Sequence, residues 1–234
     1  MAPLMSTHEL RAHCGRVVRV VLPDGPPRWL GPRRAGVGGI HVFYERKLRD
    51  PRMIRIAIII GSTRPGRRGA EVAKWVYDIA LQRGDAEFEL VDVADFHLPV
   101  LDEPSAHEHT KPHTRAWAEK IASFDGYVFV TPEYNHATSG ALKNALDYLY
   151  AEWNNKAAGF VGYGGSGGAR AIENLRLIVG ELQIADVRTA VQLSILTDFE
   201  NFTTFKPADA QTAQVNTMLS QLIAWSTALK SVRA

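Results

Sequence analysis

The chain has 234 residues, 46% hydrophobic and 22% charged, a globular composition that excludes collagen-like, coiled-coil and wholly disordered proteins. Its formal net charge of +2 is too small to indicate a general nucleic-acid binder. The single cysteine, Cys14, excludes an internal disulfide framework and a cysteine-rich metal site. No run reaches the roughly 18 to 20 apolar residues of a membrane helix, and charged residues interrupt every candidate secretory leader. We therefore expect a cytoplasmic protein with neither membrane nor nucleic-acid partners.

Residues 1–52 differ from the rest of the chain. They carry ten Lys and Arg against four Asp and Glu, a net charge of +6, and are rich in Pro and Gly. This composition predicts a disordered extension with one short apolar stretch, Val17 to Leu22. Three interpretations stay open: Met53 is the true start, the extension is an inert tail, or it is a functional basic arm. We favour Met53 as the start, so the predicted domain covers residues 53–234.

Strand and helix patterns alternate from Met53 onward. The β-branched run Ile54 to Ile60 stops at Gly61, which is typical of a strand buried on both faces. Helical spacing of apolar residues predicts a helix over about 69–83, ended by Gly84. The later predicted strands are Phe88 to Val91, Tyr127 to Val130, Ala157 to Gly162 and Val187 to Leu193, and the later helical stripes are Trp117 to Phe124, Leu142 to Leu149, Leu175 to Leu182 and Val215 to Ile223. Five such units predict an α/β fold: a flavodoxin-like, open, doubly wound parallel sheet of five strands in the order 2-1-3-4-5.

Sheets of this kind bind ligands at the carboxyl ends of their strands, where the strand order reverses. The loop after strand 1 contains Ser62, Thr63, Arg64, Arg67 and Gly69 and leads straight into a helix. Helix N-terminal N–H groups, hydroxyls and arginines together favour a phosphate site. The loop has neither the dinucleotide GxGxxG pattern nor a Walker A ending. The alternative is an exposed basic turn without a ligand.

Two further loops face the same edge. After strand 3, Pro132, Glu133, Tyr134 and Asn135 offer an aromatic surface and amide groups suited to a flat heterocycle, or else form a structural turn that caps the next helix. After strand 4 comes a glycine-rich loop, which allows close approach of main chain to a ligand, or else is a floppy surface loop. A Gly-x-Ser-x-Gly nucleophile elbow is disfavoured there, because no histidine follows His136 to complete the Ser, acid, His order of that fold.

Four histidines, His97, His107, His109 and His113, lie between strands 2 and 3. A metal site is one interpretation, since histidine is a common ligand. The spacing lacks a fixed helical repeat, and the neighbouring residues are polar and proline-rich. We therefore expect a solvated loop at the rim of the site and no metal.

Three motifs together carry a family resemblance: Gly61-Ser-Thr-Arg64, Thr131-Pro-Glu-Tyr-Asn135 followed by Gly140-Ala-Leu-Lys-Asn-Ala-Leu-Asp147, and Gly162-Tyr-Gly-Gly-Ser166. Over about residues 53–195 the chain resembles the NAD(P)H-dependent FMN reductase family of flavodoxin-like proteins, which includes quinone, azo-dye and chromate reductases. The resemblance implies that three sets of residues hold FMN. The phosphate set is Ser62, Thr63, Arg64, Arg67 and Gly69, the isoalloxazine and ribityl set is Pro132, Glu133, Tyr134 and Asn135, and the pyrimidine-edge set is Gly164, Gly165 and Ser166. Lys143 and Asn144 would brace the strand-3 turn from behind.

The implied function is that of an oxidoreductase. Hydride would pass from NADPH or NADH to flavin N5 and then to a quinone, azo compound, free flavin or metal oxyanion, by a ping-pong mechanism. No protein side chain is required as a catalyst, and the protein would contribute backbone contacts near Tyr134 and Asn135. A flavodoxin-type electron carrier and a flavin-binding redox sensor are the alternatives.

The chain carries several large aromatic residues, and some follow the third predicted helix: Trp75, Trp117, Tyr148, Tyr150 and Trp153. One interpretation is a homodimer formed through that helix, with a tetramer as the alternative assembly. The other is ordinary core packing, above all for Trp75 and Trp117.

Overall fold

The computed structural model describes residues 6–11 and 17–22, for which only the backbone is considered, and residues 53–233. The chain divides into two compact units, Met1–Pro51 and Arg52–Ala234. In the first unit, Ser6–Arg11 and Val17–Leu22 pair as an antiparallel hairpin, with Ser6 opposite Leu22 and Arg11 opposite Val17. The remainder of the extension lies outside the described residues, so the disorder expected there stays a prediction.

The second unit is built on a parallel sheet. Its strands are β1 (Arg55–Ile60), β2 (Glu87–Asp92), β3 (Gly126–Pro132), β4 (Lys156–Gly164) and β5 (Ile184–Asp186). Their spatial order is β2-β1-β3-β4-β5, and every pairing is parallel. The predicted order 2-1-3-4-5 is thus confirmed. The order of the strands reverses between β1 and β3, because the chain continues to β2 on one side of β1 and to β3 on the other. The loops after β1 and β3 therefore lie side by side.

Helices cover both faces of this sheet. They are α1 (Gly69–Leu81), α2 (Pro112–Ala122), α3 (Gly140–Asp147), α4 (Ala169–Glu181) and α5 (Asp209–Lys230), with a short 3-10 helix at Val93–Phe96. Gly84, three residues after α1, has φ +73°, which fits the predicted glycine stop. Within residues 53–233, no helix is both long and apolar enough to cross a membrane.

Alternate residues of β1 enter two separate cores. Ile56, Ile58 and Ile60 pack with apolar residues of α1 and α5, whereas Ala57 and Ile59 pack with those of α2, α3 and α4. All five side chains are at most 6% exposed. A strand buried on both faces needs apolar residues at every position, which explains the uninterrupted run in the sequence.

The fifth predicted strand, Val187 to Leu193, is only partly correct. The structure has β5 at Ile184–Asp186 and a separate β6 at Val191–Ser194, and both pair with β4. Between them, the carbonyls of Val187 and Arg188 accept hydrogen bonds from the Arg176 guanidinium. The N–H of Thr189 donates to Gln221 Oε1. Because these side chains occupy the backbone groups, the strand is interrupted.

A small hairpin follows β6 and was not predicted. It consists of β7 (Phe199–Glu200) and β8 (Thr204–Phe205). Buried Asp198 organises this segment by accepting the N–H groups of Ser194 and Ala208.

Candidate functional site

The loop after β1 is held tightly against the end of β3 and the N-terminal cap of α3. Gly61 N–H donates to Val130 O at 2.9 Å, and its carbonyl accepts a hydrogen bond from the Ser139 hydroxyl. A Cβ at Gly61 would lie 2.8 Å from Leu142 Cδ2, so only glycine fits this position. Ser62 is buried, and its Oγ lies 3.2 Å from the Tyr134 hydroxyl. The two loops therefore share one polar cluster.

The arginines of this loop have different surroundings. Arg67 pairs with Asp92 at the end of β2, with Nη1 2.9 Å from Oδ1, and also donates to Ser62 O. Arg64 is exposed, and its guanidinium lies 5.8 Å from the centre of the Tyr134 ring. Within residues 53–233, no carboxylate lies within salt-bridge distance of Arg64. The structure thus presents Arg64 to solvent and holds Arg67 within the protein.

The N-terminus of α1 lies directly after these arginines. Arg68 precedes the helix, and its side chain accepts no hydrogen bond from the first turn. The N–H groups of that turn therefore lack an N-cap side chain. Gly69 begins the helix and is buried against Tyr163: a Cβ on Gly69 would lie 2.9 Å from the Tyr163 hydroxyl oxygen.

Tyr163 carries its hydroxyl group into the protein beneath this loop. The oxygen is buried without a hydrogen-bond partner that meets normal geometry. Burial, followed by the neighbouring Tyr134, raises the pKa of Tyr163 well above its ordinary value, against weaker opposing effects of Ser62 and Arg67. The phenol is therefore neutral and available as a donor.

The segment after β3 forms a tight hairpin turn. Tyr134 N–H donates to Ala137 O at 3.0 Å, and Ala137 N–H donates to Tyr134 O at 3.1 Å. The two residues at the tip, Asn135 and His136, have φ +47° and +73° and are exposed. Asparagine tolerates this left-handed region better than most residues. Pro132, the last residue of β3, is buried under the turn. The turn leaves the Tyr134 ring and Asn135 at the surface of the site.

Glu133 contacts the glycine-rich loop after β4 instead of the helix that follows its own turn. Its carboxylate accepts the N–H of Arg170 at 3.1 Å and a hydrogen bond from Arg170 Nε. Gly165 and Ser166 are exposed at the tip of the loop, and Gly167 N–H donates to Gly164 O at 3.1 Å to close it. The predicted pyrimidine-edge residues therefore lie together on an ordered turn.

A cavity of about 240 Å³ adjoins the loop after β1. Its lining includes Thr63, Val93, His97, Ala141 and Asn144, which come from that loop, the segment after β2, and α3. Thr63 is the one predicted site residue among them.

The family resemblance implied that Asn144 and Lys143 support the turn after β3. In the structure both side chains have other partners. Asn144 Nδ2 donates to Pro99 O at 2.7 Å, and Asn144 Oδ1 accepts the N–H of Leu101 at 2.9 Å. Lys143 pairs with Asp147 one turn along α3. Asn144 therefore holds the loop after β2, and the earlier assignment is wrong.

The histidine-bearing segment after β2 is held by carboxylates. Asp102 accepts hydrogen bonds from Lys111 at 2.7 Å and Tyr148 at 2.8 Å, and lies 3.1 Å from His113 Nε2. These hydrogen bonds, above all that of Lys111, hold the pKa of Asp102 well below its usual value, although burial opposes them. Burial and the neighbouring Asp102 raise the pKa of Tyr148 to about 12. His109 Nε2 lies 3.3 Å from Glu152 Oε1. The segment is thus more firmly anchored than a solvated loop. Among the described residues, no group of three or more His, Cys, Asp or Glu is arranged to hold a metal.

Sequence reasoning missed three residues of this site: Asp92, Tyr163 and Arg170. Two signals were present in the sequence. Tyr163 is the one large side chain among glycines and Ser166, and Asp92 ends the strand next to the arginine-rich loop. Arg170 carried no local signal, because its partner lies 37 residues away in the chain.

These features fit the phosphate of FMN. An exposed arginine and an uncapped helix N-terminus lie at the loop after β1, and the buried Tyr163 hydroxyl packs against Gly69 beneath it. Phosphate oxygens bind donors of these kinds. The half-buried Tyr134 ring and the exposed main chain at Gly165 offer an aromatic surface and N–H groups for a heterocycle.

The comparisons with known proteins agree with this geometry. The profile of the NADPH-dependent FMN reductase family matches residues 54–198. An NAD(P)H-dependent FMN reductase of Nectria sp, ntnL, is 40% identical in an alignment of 159 residues that covers 62% of this chain and 79% of that protein. A quinone reductase of Escherichia coli is 35% identical in an alignment of 133 residues that covers 54% of this chain and 69% of that protein.

One solved structure with the same fold is the NAD(P)H:(acceptor) oxidoreductase FerB of Paracoccus denitrificans. It matches with a TM-score of 0.59 and 21% identity, over 74% of this chain and 97% of its own. At this identity the likeness bears on the fold alone. Because the family profile covers most of the chain, and includes all three ligand loops, the chain belongs to the NADPH-dependent FMN reductase family, whose members are oxidoreductases that use FMN and NAD(P)H.

Proposed function

We propose that this protein reduces a small quinone-like acceptor with NAD(P)H, in a ping-pong reaction on bound FMN. The observation that supports this most strongly is the convergence of the three loops after β1, β3 and β4 on one edge of the sheet. FMN, when bound, supplies the hydride chemistry that no amino-acid side chain provides.

The residues of the chain have binding and orienting roles in this proposal. Arg64 and the first turn of α1 hold the phosphate, with Ser62 and Tyr163 supporting the loop from below. Tyr134 and Asn135 line the heterocycle. The N–H groups around Gly165 and Ser166 donate to its pyrimidine edge, where preorganised donors stabilise negative charge. No side chain is needed as a nucleophile or a general acid.

The acceptor is proposed from the size of the adjoining cavity. At about 240 Å³ it lies below the range of typical drug-sized pockets, which favours acceptors of one or two rings. The lining mixes apolar and polar groups, including the side chains of Val93, Thr63 and Asn144. A quinone combines an apolar ring with hydrogen-bond acceptors and matches this lining. Azo compounds, free flavin and metal oxyanions are the other acceptors to compare.

The first experiment is the visible spectrum of the purified protein, with the released cofactor identified. We expect oxidised-flavin bands that bleach with anaerobic NADPH or NADH and return when 1,4-benzoquinone is added. Double-reciprocal plots against both substrates should give parallel lines. Protein that bleaches with neither nicotinamide yet carries FMN would instead support an electron carrier. Colourless protein that takes up no FMN would overturn the proposal.

Assembly and location complete the proposal. We expect a homodimer, with a tetramer as the alternative, and a cytoplasmic location. The aromatic residues do not support the dimer, however, because Trp117, Tyr148 and Trp153 are fully buried within the second unit. Sedimentation velocity of the purified protein would test the assembly, and a monomer would contradict it.

A further inference from the structure

Glu133 belongs to the site, yet its carboxylate is turned away from solvent. The side chain is 4% exposed, although it stands in a surface turn. Both oxygens have partners on Arg170: one accepts the backbone N–H at 3.1 Å and the other accepts from the guanidinium. A buried carboxylate is costly unless it is paired in this way. The arrangement therefore ties the loop after β3 to the start of α4.

The N-terminus of α4 cannot be capped by its own residues. Gly168 occupies the cap position with φ +73° and has no side chain. A Cβ there would lie 2.5 Å from the backbone nitrogen of Tyr163, so a Ser, Thr or Asp cap does not fit. Glu133, which lies in the loop after β3, caps the helix instead. Its carboxylate accepts the N–H of Arg170 in the first turn of α4, and the N-terminus of a helix favours negative charge.

Arg170 extends the connection to the tip of the glycine loop. Its Nη2 lies 3.1 Å from Ser166 Oγ, while Glu133 N–H donates to Tyr163 O at 3.0 Å. The Arg170 side chain is 45% exposed and stands beside Ser166. Its positive charge is balanced by Glu133, the one carboxylate within salt-bridge distance of it in residues 53–233.

We propose that Glu133 is a positioning residue that acts on FMN through Arg170: it shapes the glycine loop and neutralises the guanidinium beside the pyrimidine edge. This inference rests on the proposed function. Reduced flavin carries more negative charge than oxidised flavin. The net charge of the Glu133–Arg170 pair therefore sets how much more tightly the site binds one form than the other.

The test is the ratio of dissociation constants for oxidised and reduced FMN, titrated into apoprotein. Glu133→Gln leaves Arg170 unbalanced and should favour reduced FMN by about threefold, the size expected of one screened charge. Arg170→Gln leaves Glu133 unbalanced and should favour oxidised FMN by a similar factor. The double variant should return to the wild-type ratio, and Arg170→Lys, which keeps the charge, should stay near it.

The matched control is the exposed ion pair between Lys74 and Asp78 on α1, bonded at 2.6 and 2.8 Å. Asp78→Asn and Lys74→Gln make the same charge changes and should leave the ratio unchanged. Opposite shifts for the two site variants support the inference. Shifts in the same direction, or weaker binding of both forms with an unchanged ratio, would show a purely structural link and overturn it. Should Glu133→Gln fail to fold, the contrast between Arg170→Gln and Arg170→Lys still decides. Wild-type apoprotein that binds neither form would overturn the proposed function as well.

Discussion

At the scale of single residues, Arg64 and Arg67 show how neighbours in one loop acquire different roles. They lie three residues apart, but only Arg67 has an acidic partner, Asp92. The family resemblance implied that both contact phosphate. In the structure, Arg67 joins the loop to β2, whereas Arg64 is exposed and is the arginine that we propose for the phosphate.

Replacing Arg64 should therefore weaken FMN binding selectively. We expect Arg64→Gln to raise the dissociation constant of FMN by about 10- to 100-fold, the loss of one charge-assisted phosphate contact of roughly 1.5 to 3 kcal/mol. Riboflavin, which lacks the phosphate, should bind with unchanged affinity. Fluorescence titration measures both. The control is Arg68→Gln, because exposed Arg68 pairs with Glu71. Equal losses in the two variants, or an equal loss for riboflavin, would contradict the assignment.

Gly69 and Tyr163 provide a second prediction at this scale. Alanine at a helix position is normally favoured over glycine by about 1 kcal/mol. Here the new Cβ would lie 2.9 Å from the buried Tyr163 oxygen. We expect Gly69→Ala to destabilise the apoprotein by about 1 to 3 kcal/mol through overpacking.

Removing the hydroxyl should relieve this clash. In the Tyr163→Phe background, the nearest remaining contacts of the alanine are ordinary, Ile60 Cγ2 at 3.5 Å and the ring carbon at 3.7 Å. The same Gly69→Ala change should then be neutral or stabilising. Urea denaturation of the four proteins measures this coupling. Additive effects in the two backgrounds would refute it.

At the scale of secondary-structure elements, the C-terminus of α2 depends on a lysine from β4. Lys156 Nζ lies 3.1 Å from Ile121 O, 3.3 Å from Ala122 O and 2.9 Å from the Tyr127 hydroxyl. The lysine is 4% exposed and reaches the last carbonyls of the helix, of which that of Ile121 also accepts the N–H of Phe124 and the Tyr127 hydroxyl. We expect Lys156→Met, which keeps the volume, to destabilise the protein by about 1 to 3 kcal/mol.

The same lysine gives stability a pH dependence. Burial, and then the nearby Arg233, lowers the pKa of Lys156 from 10.5 to about 7. Between pH 7 and 10.5 the unfolded chain holds a proton that the folded protein has lost. The Lys156 contribution to the free energy of unfolding therefore rises with pH in this window and is flat below it. Urea unfolding at pH 7, 8 and 9 should show this rise in the wild type relative to Lys156→Met. Parallel profiles would contradict it.

At the scale of the whole molecule, the second unit contains everything the proposed reaction needs. The family profile begins at Ile54, and the ligand loops and both apolar cores lie within residues 53–233. We expect a chain that starts at Met53 to keep the FMN content and NAD(P)H turnover of the full chain within about twofold, since independent regions contribute additively and the three ligand loops lie within residues 53–233. Side-by-side spectra and steady-state assays measure this. A large loss of flavin or turnover would show that residues 1–52 are functional.

Local patterns in the sequence were sufficient for the architecture and for placing the three candidate loops at one edge of the sheet. An apolar run such as Ile54 to Ile60 predicts a strand buried on both faces, and helical spacing of apolar residues predicts a helix buried on one face. Both patterns are local, because the backbone repeat of a strand or a helix spans only a few residues. The three loops follow from the strand order. The break between β5 and β6 could not be predicted in this way. Side chains of Arg176 and Gln221 take the place of the strand pairing there.

The direction of each polar side chain within the site was decided by tertiary structure. Arg67 turns to Asp92, Glu133 to Arg170 and Asn144 to the loop after β2, across 25 to 45 positions of sequence. Each side chain had several partners of suitable chemistry, and only the packed sheet and helices bring one of them within hydrogen-bond distance. Sequence alone therefore determined which residue types meet at this edge of the sheet, whereas the fold decided which of them stay exposed there and which hold the loops in place, because a hydrogen bond depends on distances that local sequence does not set.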